Sequence, residues 1–391
     1  MSAEIRIPSL LKIGGGSFSE AGSLLARLGC KRPLIVTDPF LLKQGLASRL
    51  QEQLEEARIL AAIFHETVAD PTSDVVDAGA RVFRKGGHDS LVSLGGGSPI
   101  DTAKAMGMLV GNGGKVRDYK VPHSIPLAGP PHVAIPTTAG TGSEVTRFTV
   151  VSDAETGEKM LIAGGVLTPT AALVDYELTM SMPARLTADT GTDSLTHAIE
   201  AYVSRKANPF TDALALTAMR VIWRVLPVCF RDPGNRAARE AMMLAATQAG
   251  MAFSNASVAL VHGMSRPLGA HFHIPHGLSN AMLLPAVTEF SAGAAIERYA
   301  DCAWAMGIAA ADDTTEKGVD GLIRGLYRRN AELEVPSPKR FGIGEKEYFA
   351  KIPLMAEQAL ASGSPQNNPR IPTAPEIDAL YRKCWEGASE S

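Results

Sequence analysis

The sequence predicts two domains, an N-terminal α/β domain and a C-terminal all-helical domain. Its 391 residues exceed what one ordinary hydrophobic core holds. Short apolar runs alternate with amphipathic stretches before Pro183, whereas Ala-, Leu- and Met-rich segments with helical spacing dominate after it. We therefore expect a boundary near residue 183 and domains over residues 1–183 and 184–391.

The N-terminal domain is expected to contain βαβ units. The predicted helices cover residues 41–57, residues 75–87 with a glycine stop, and the segment PIDTAKAMGMLV. Strands alternating with helices indicate a mostly parallel sheet. The predicted strands are PLIVT (33–37), ILAAIF (59–64), SLVSL (90–94) and HVAIP (132–136).

The C-terminal domain is expected to consist of several helices. Segments such as TDALALTAMRVIWRVLPV and REAMMLAATQAGMAFSNA have few β-branched clusters and place apolar residues at helical spacing. Repeated prolines divide this region into many helices rather than a few long ones. These prolines stand at positions 183, 209, 227, 233, 267, 275 and 285.

Composition excludes several classes of partner. A net charge of −3 with mixed signs gives no reason to expect binding to nucleic acid or to a membrane. No apolar run approaches the ~20 residues that span a bilayer, and the N-terminus lacks the apolar core of a signal peptide. Four scattered cysteines fit a reducing, cytoplasmic location; they are Cys30, Cys229, Cys302 and Cys384.

Two glycine strings are candidates for a phosphate-binding turn, IGGGS at 13–17 and LGGGS at 94–98. The second follows a strand and opens a helix, so its backbone N–H groups can face a phosphate. The first follows a weaker strand, and a structural turn explains it equally well. Neither matches G-x-G-x-x-G, and the acidic residue usual ~20 positions downstream is absent.

Two further features extend this candidate site. Asp38 ends the strand LIVTD, where its carboxylate could bind an adenosine ribose and repel a 2′-phosphate, although such an Asp is more often a helix cap. The loop IPTTAGTGSEVT (135–146) offers many small hydrogen-bond donors after an apolar strand. That composition favours pyrophosphate or ribose binding over an ordinary polar loop.

A metal site is predicted in the second domain. Asp193 and His197 are four residues apart, and on a helix they share one face. The pair is a weak signal alone, but four of the nine histidines fall within residues 262–276. One Asp with three His is a nitrogen and oxygen donor set that suits Fe²⁺ or Zn²⁺.

Four motifs together closely resemble the iron-dependent (group III) alcohol dehydrogenases over essentially the whole chain. The resemblance implies a dinucleotide-binding α/β domain and a helical metal-binding domain, as in dehydroquinate synthase-like architectures. It also implies hydride transfer between a primary alcohol or its aldehyde and NAD(H), with the metal as Lewis acid, and a homodimer or larger oligomer. The motifs are LGGGSPIDTAK, PTTAGTGSEVT, DSLTHAIEAYVS and HGMSRPLGAHFHIPHG.

The resemblance also implies specific residues. An Asp at position 38 implies NAD rather than NADP, and the bound metal is expected to be Fe²⁺, with Zn²⁺ as an alternative. The implied metal ligands, which are also the catalytic centre, are Asp193, His197, His262 and His276. The implied cofactor-binding residues are Asp38, Gly95, Gly96, Gly97, Ser98, Asp101, Thr137 and Thr138, with Thr141, Ser143 and Lys159 as further neighbours.

The sequence leaves several alternatives for the substrate and for the type of reaction. Arg266 stands where many relatives have a histidine, and it either recognises a substrate carboxylate or forms a structural salt bridge. His273 either lines the substrate pocket or packs structurally, while packing is the better explanation for His271. The alternatives are a reductase of a semialdehyde or of maleylacetate, a glycerol dehydrogenase-like zinc enzyme, a dehydroquinate synthase-like lyase, and a non-catalytic metal-binding protein.

Overall fold

The computed structural model describes residues 2–310 and 312–387. They form two compact units: Glu4–Ser181, and a second unit made of the residues from Met182 onward together with those before Glu4. The first unit is α/β and the second is helical, so the predicted fold class is confirmed.

The first unit contains eight strands. They are β1 Leu10–Ile13, β2 Pro33–Val36, β3 Ala62–Phe64, β4 Ser90–Gly95, β5 His132–Pro136, β6 Phe148–Ser152, β7 Lys159–Ala163 and β8 Ala171–Val174. Six of them form a parallel sheet with the order β1-β8-β5-β4-β2-β3. The other two, β6 and β7, form a separate antiparallel hairpin. The helices are α1 Ala21–Arg27, α2 Pro39–Lys43, α3 Leu46–Glu56, α4 Ser73–Gly86 and α5 Gly97–Asn112.

Helices cover both faces of this sheet. Successive side chains of β2 point to opposite faces, so Leu34 joins the apolar core under α4 and α5 while Ile35 joins the core under α1 and α3. Strands β2, β4, β5 and β8 are buried at every position. Burial at every position is what a parallel sheet covered on both faces requires.

The strand order reverses between β2 and β4. From β2 the chain continues to β3 on one side, whereas β4 lies on the other side of β2 and is followed there by β5. In doubly wound sheets, ligands bind outside the carboxyl ends of the strands at such a reversal. The carboxyl ends of β2, β4 and β5 are therefore the part of this unit best suited to a cofactor.

Four local features of the first unit differ from the sequence prediction. The single helix predicted over residues 41–57 is divided into α2 and α3, because Gly45 takes a left-handed conformation (φ 79°). The strand predicted over residues 59–64 begins only at Ala62, where pairing with Leu34 starts; Ile59 still bonds back to the end of α3. Neither the β6–β7 hairpin nor strand β8 was predicted.

The second unit contains only helices among its described residues. Residues 191–203 of α6 are all buried, so this helix runs through the centre of the unit. Its helices are α6 Ala184–Val203, α7 Pro209–Arg231, α8 Arg236–Ala256, α9 Leu260–Phe272, α10 His276–Ala292, α11 Ile296–Met306, α12 Thr315–Glu332, α13 Pro338–Phe341, α14 Glu345–Ala361 and α15 Ala374–Cys384.

One described helix, α7, is long and apolar enough to cross a bilayer by length and composition. The pair α8 and α9 meets the same criterion only if it is taken as one span, and it is bent by 104°. Helix α7 packs against α6, α8 and α11, as a core helix of a helical unit does. Its apolar composition is therefore explained by packing within the unit.

Candidate metal and cofactor sites

The four predicted metal ligands come together in the second unit. Helix α6 carries Asp193 and His197 one turn apart, α9 carries His262, and His276 is the first residue of α10. The Nε2 atoms of His197, His262 and His276 lie 3.7, 3.5 and 3.8 Å from Asp193 Oδ1. The ligand atoms of Asp193, His262 and His276 all lie within 4.8 Å of one another.

A close approach of two helices sets the position of His276. A Cβ atom on Gly277 would lie 2.3 Å from the backbone oxygen of Asp189, so only glycine lets the start of α10 lie against α6 at this point. This contact brings His276 beside Asp193. The side chain of His276 is 44% exposed while that of Asp193 is 3% exposed, so the cluster opens to its surroundings on the His276 side.

Glu200, which the sequence analysis did not identify, holds His262. Its Oε2 lies 2.6 Å from His262 Nδ1, and its Oε1 accepts a 2.6 Å hydrogen bond from the Val261 N–H. With Nδ1 engaged, the Nε2 atom of His262 faces Asp193. The D-x₃-H-x₂-E spacing of Asp193, His197 and Glu200 is the sequence signal, because residues seven apart share a helix face.

Asn280 is a second neighbour of the cluster that the sequence analysis did not identify. It lies one turn after His276 on α10, and its Nδ2 donates a 2.7 Å hydrogen bond to Asp193 Oδ1. The same nitrogen is 3.2 Å from the Nε2 of His262 and 3.3 Å from that of His276. Asn280 therefore contacts three of the predicted ligand atoms.

Charge and burial determine the protonation of this cluster. Burial alone would raise the pKa of Asp193, but the His197 and His276 charges and the His262 hydrogen bond hold it well below its ordinary value. Burial opposes the charged form of His262, yet Glu200 and Asp193 raise its pKa. An ionised carboxylate with three imidazoles, and no thiolate, is a donor set that fits Fe²⁺ or Zn²⁺.

The predicted cofactor residues follow three neighbouring strands of the first unit. Asp38 follows β2, and its Oδ1 accepts a 2.9 Å hydrogen bond from the Leu41 N–H, which makes it the N-cap of α2. A second carboxylate oxygen leaves this cap compatible with a ribose contact. The residues that end β4 or follow β4 and β5 are Gly95, Gly96, Gly97, Ser98, Thr137, Thr138 and Thr141.

The turn after β4 depends on glycine. Gly95 has φ 152°, and a Cβ there would lie 2.5 Å from the Pro99 ring. The following helix begins at Gly97, so its first N–H groups point out of the turn. The Thr137 N–H donates a 3.0 Å hydrogen bond to the Gly95 oxygen, which joins the loop after β5 to this turn.

A buried polar network fastens this loop to α5 and the hairpin. Asp101 accepts hydrogen bonds from Ser143 Oγ (2.6 Å) and from the Val150 N–H (3.0 Å). Lys104, which the sequence analysis did not identify, places its Nζ 2.8–3.1 Å from four acceptors, which its three N–H groups share. These are Ser143 Oγ, both oxygens of Thr146 and the Phe148 carbonyl. Burial lowers the pKa of Lys104 to about 8. Asp101 and Ser143 therefore already have partners within the unit.

The other predicted site residues either contact groups within their own unit or are exposed. Lys159 forms a 2.9 Å ion pair with Asp70. Arg266, which is half-buried, donates a 2.8 Å hydrogen bond to Ser364 Oγ. His273 is exposed at the C-terminal end of α9 with φ 53°, and His271 lies 2.8 Å from Gln358 Oε1 through Nε2.

Comparison with known proteins identifies the family. Residues 8–176 match the iron-containing alcohol dehydrogenases, and residues 187–385 match the C-terminal region of the Fe-containing alcohol dehydrogenase family. The NAD-dependent methanol dehydrogenase of Bacillus methanolicus is 40% identical over 377 residues, covering 96% of this chain and 98% of the relative. The NADPH-dependent butanol dehydrogenase of Clostridium saccharobutylicum is 37% identical over 385 residues, covering 97% of each protein.

The fold agrees with these matches. A crystal structure of 1,3-propanediol oxidoreductase superposes with a TM-score of 0.95 at 37% identity, covering 98% of this chain and 100% of that one. The resemblance inferred from the four motifs is thereby confirmed. The chain belongs to the iron-containing alcohol dehydrogenase family and is an oxidoreductase of the alcohol–aldehyde class.

Proposed function

We propose that this protein transfers hydride between a primary alcohol, or its aldehyde, and NAD(H) at a metal centre. The convergence of Asp193, His197, His262 and His276 is the observation that carries the proposal. Residues 1–183 would hold the cofactor and residues 184–391 the metal and substrate. The similar proteins are named for methanol, butanol and 1,3-propanediol, all of them primary alcohols.

The metal would be held by one carboxylate and three imidazoles, as Fe²⁺ or alternatively as Zn²⁺. A divalent ion bound there supplies Lewis acidity to the substrate oxygen. The chain's own part is to keep Asp193 ionised among histidines and to fix their ring orientations. His276 is the exposed member, so a substrate would approach the centre from its side.

The cofactor would bind at the carboxyl ends of β2, β4 and β5. The turn from Gly95 to Ser98 and the N-terminus of α5 offer backbone N–H groups to a pyrophosphate. Asp38 would repel a 2′-phosphate, which favours NAD over NADP. Thr137, Thr138 and Thr141 would contribute hydroxyls, and direct contacts from Asp101, Ser143 and Lys159 are a further expectation.

The contacts of Arg266 favour a role within the helical unit. Its guanidinium is bonded to Ser364 and interacts electrostatically with the Glu200 carboxylate. A substrate carboxylate would have to compete with these groups. We therefore favour an uncharged primary alcohol over a semialdehyde or maleylacetate-type substrate, and we leave His273 as a candidate pocket residue because it is exposed.

The oligomeric state and cellular location are part of the proposal, which family membership and composition support. We expect a homodimer or a larger homo-oligomer, with no nucleic-acid or membrane partner, located in the cytoplasm. Light scattering coupled to size-exclusion chromatography measures the oligomeric state directly.

The test is a reconstitution assay. Metal-free protein is loaded anaerobically with Fe²⁺ or with Zn²⁺ and assayed with butanal, succinic semialdehyde and glycerol, using NAD(H) and NADP(H). We expect metal-dependent oxidation of NADH by butanal, lost in Asp193→Asn and retained in Asp74→Asn, an exposed carboxylate of α4. Absence of turnover with every substrate and cofactor, in both metal-loaded forms, would overturn the proposal.

A further inference from the structure

We infer that Glu200 is a positioning residue that fixes the tautomer and orientation of His262 and thereby sets the metal affinity of the site. The inference rests on the proposed function, because it concerns the same metal centre. Glu200 is 3% exposed, and a buried carboxylate is costly unless hydrogen bonds satisfy it. Its two oxygens have two different partners, and both belong to the start of α9.

The first partner is the backbone of α9. Helix α9 begins at Leu260, and its N-cap residue, Ala259, has no side chain that can accept a hydrogen bond. The first N–H groups of a helix need acceptors from outside it. Glu200 Oε1 accepts from the Val261 N–H at 2.6 Å and so caps α9 from a neighbouring helix. The negative charge also suits a helix N-terminus.

The second partner is the imidazole of His262. Glu200 Oε2 lies 2.6 Å from Nδ1, and a carboxylate accepts but does not donate, so the Nδ1 proton belongs to this bond. The Nε2 lone pair is then directed at the cluster, 3.5 Å from Asp193 Oδ1. One carboxylate therefore fixes both the backbone that carries the ligand and the ring that supplies it.

A cation on α9 also acts electrostatically on this carboxylate. Arg266, one helical turn after His262 on α9, interacts electrostatically with Glu200 and is held by a 2.8 Å hydrogen bond to Ser364. A positive charge nearby offsets the cost of burying an anion.

The test compares Glu200→Gln with Glu240→Gln, an exposed glutamate of α8. Glutamine offers one acceptor oxygen for two donors, so one donor faces an NH₂ group. We expect the Kd for Zn²⁺, measured by chelator competition, to rise about 10- to 100-fold in Glu200→Gln and to stay unchanged in Glu240→Gln. Wild-type affinity in folded Glu200→Gln would overturn the inference.

A second measurement does not depend on the variant folding. In zinc-loaded wild type labelled with ¹⁵N-histidine, long-range ¹H–¹⁵N spectra report which ring nitrogen is protonated. We expect the His262 proton on Nδ1 and metal-bound Nε2; a proton on Nε2 would refute the inference. Wild type could bind metal and turn over butanal while neither the Kd increase in Glu200→Gln nor the Nδ1 proton of His262 is observed. That result would refute the inference and leave the proposed function intact. Wild type that binds no metal would overturn both.

Discussion

His132, the first residue of β5, is a buried histidine with a defined partner. Its Nε2 lies 2.8 Å from the Ser93 Oγ of the neighbouring strand β4. Burial lowers the pKa of His132 to about 3, and the Lys104 charge acts in the same direction. The folded protein therefore keeps this ring neutral at pH values where an unfolded chain protonates it.

The sign of the resulting pH dependence follows from proton counting. Between pH 6.5 and about 3 the unfolded chain binds a proton that folded His132 does not, so the free energy of unfolding falls as the pH falls. At pH 5, about 1.5 units below the unfolded pKa, the loss is about 2 kcal/mol. Above pH 6.5 this histidine contributes no pH dependence.

The assay compares melting temperatures at pH 7.5 and pH 5.0 for wild type and His132→Gln. Glutamine cannot titrate, while its amide can still hydrogen-bond Ser93. We expect wild type to lose about 4–8 °C more than the variant on acidification, at roughly 2–4 °C per kcal/mol for a unit of this size. His65→Gln, an exposed histidine, serves as control and should follow wild type.

Only the difference between the two proteins matters, because acid also protonates carboxylates in both. A lower melting temperature of His132→Gln at pH 7.5 would report lost packing and leave the reasoning unaffected. Parallel pH profiles for wild type and His132→Gln would refute it, since they would mean that the buried ring does not change protonation on unfolding.

Two further substitutions test the cofactor-binding unit. Lys104→Met leaves buried acceptors without their donor and should cost about 3–5 kcal/mol, measured as a lower melting temperature than in Lys85→Met, an exposed control. Gly95→Ala should lower stability by at least about 1 kcal/mol and raise the KM for NAD, because its Cβ would meet the Pro99 ring. Gly113→Ala also has a positive φ but open space around it, so an equal effect there would contradict the steric explanation.

The architecture of the first unit could be predicted because its signals are local. Apolar runs such as SLVSL and the amphipathic pattern of residues 75–87 reappear as β4 and α4, since periodicity within a short segment selects strand or helix. Element ends were less predictable. The start of β3 depends on pairing with β2, and the β6–β7 hairpin depends on pairing between its own two strands.

The candidate site was likewise predictable only in part. Asp193 and His197 on one helix face, the glycine turn and the histidine-rich segment were visible in the sequence, and the resemblance supplied the ligand set. Tertiary packing identified Glu200, Asn280 and Lys104. Apart from His276, four residues before Asn280, the partners named for them lie from 18 to 87 residues away in the chain.

The sequence by itself thus determined the fold class, the family and the types of donor atom, because neighbouring residues and their spacing encode them. The tertiary structure decided which ring nitrogen faces the cluster, which carboxylate holds it and which groups are buried. Those properties depend on contacts between separate helices and strands. The energies of those contacts depend on burial and on interatomic distances, which no local pattern of residues specifies.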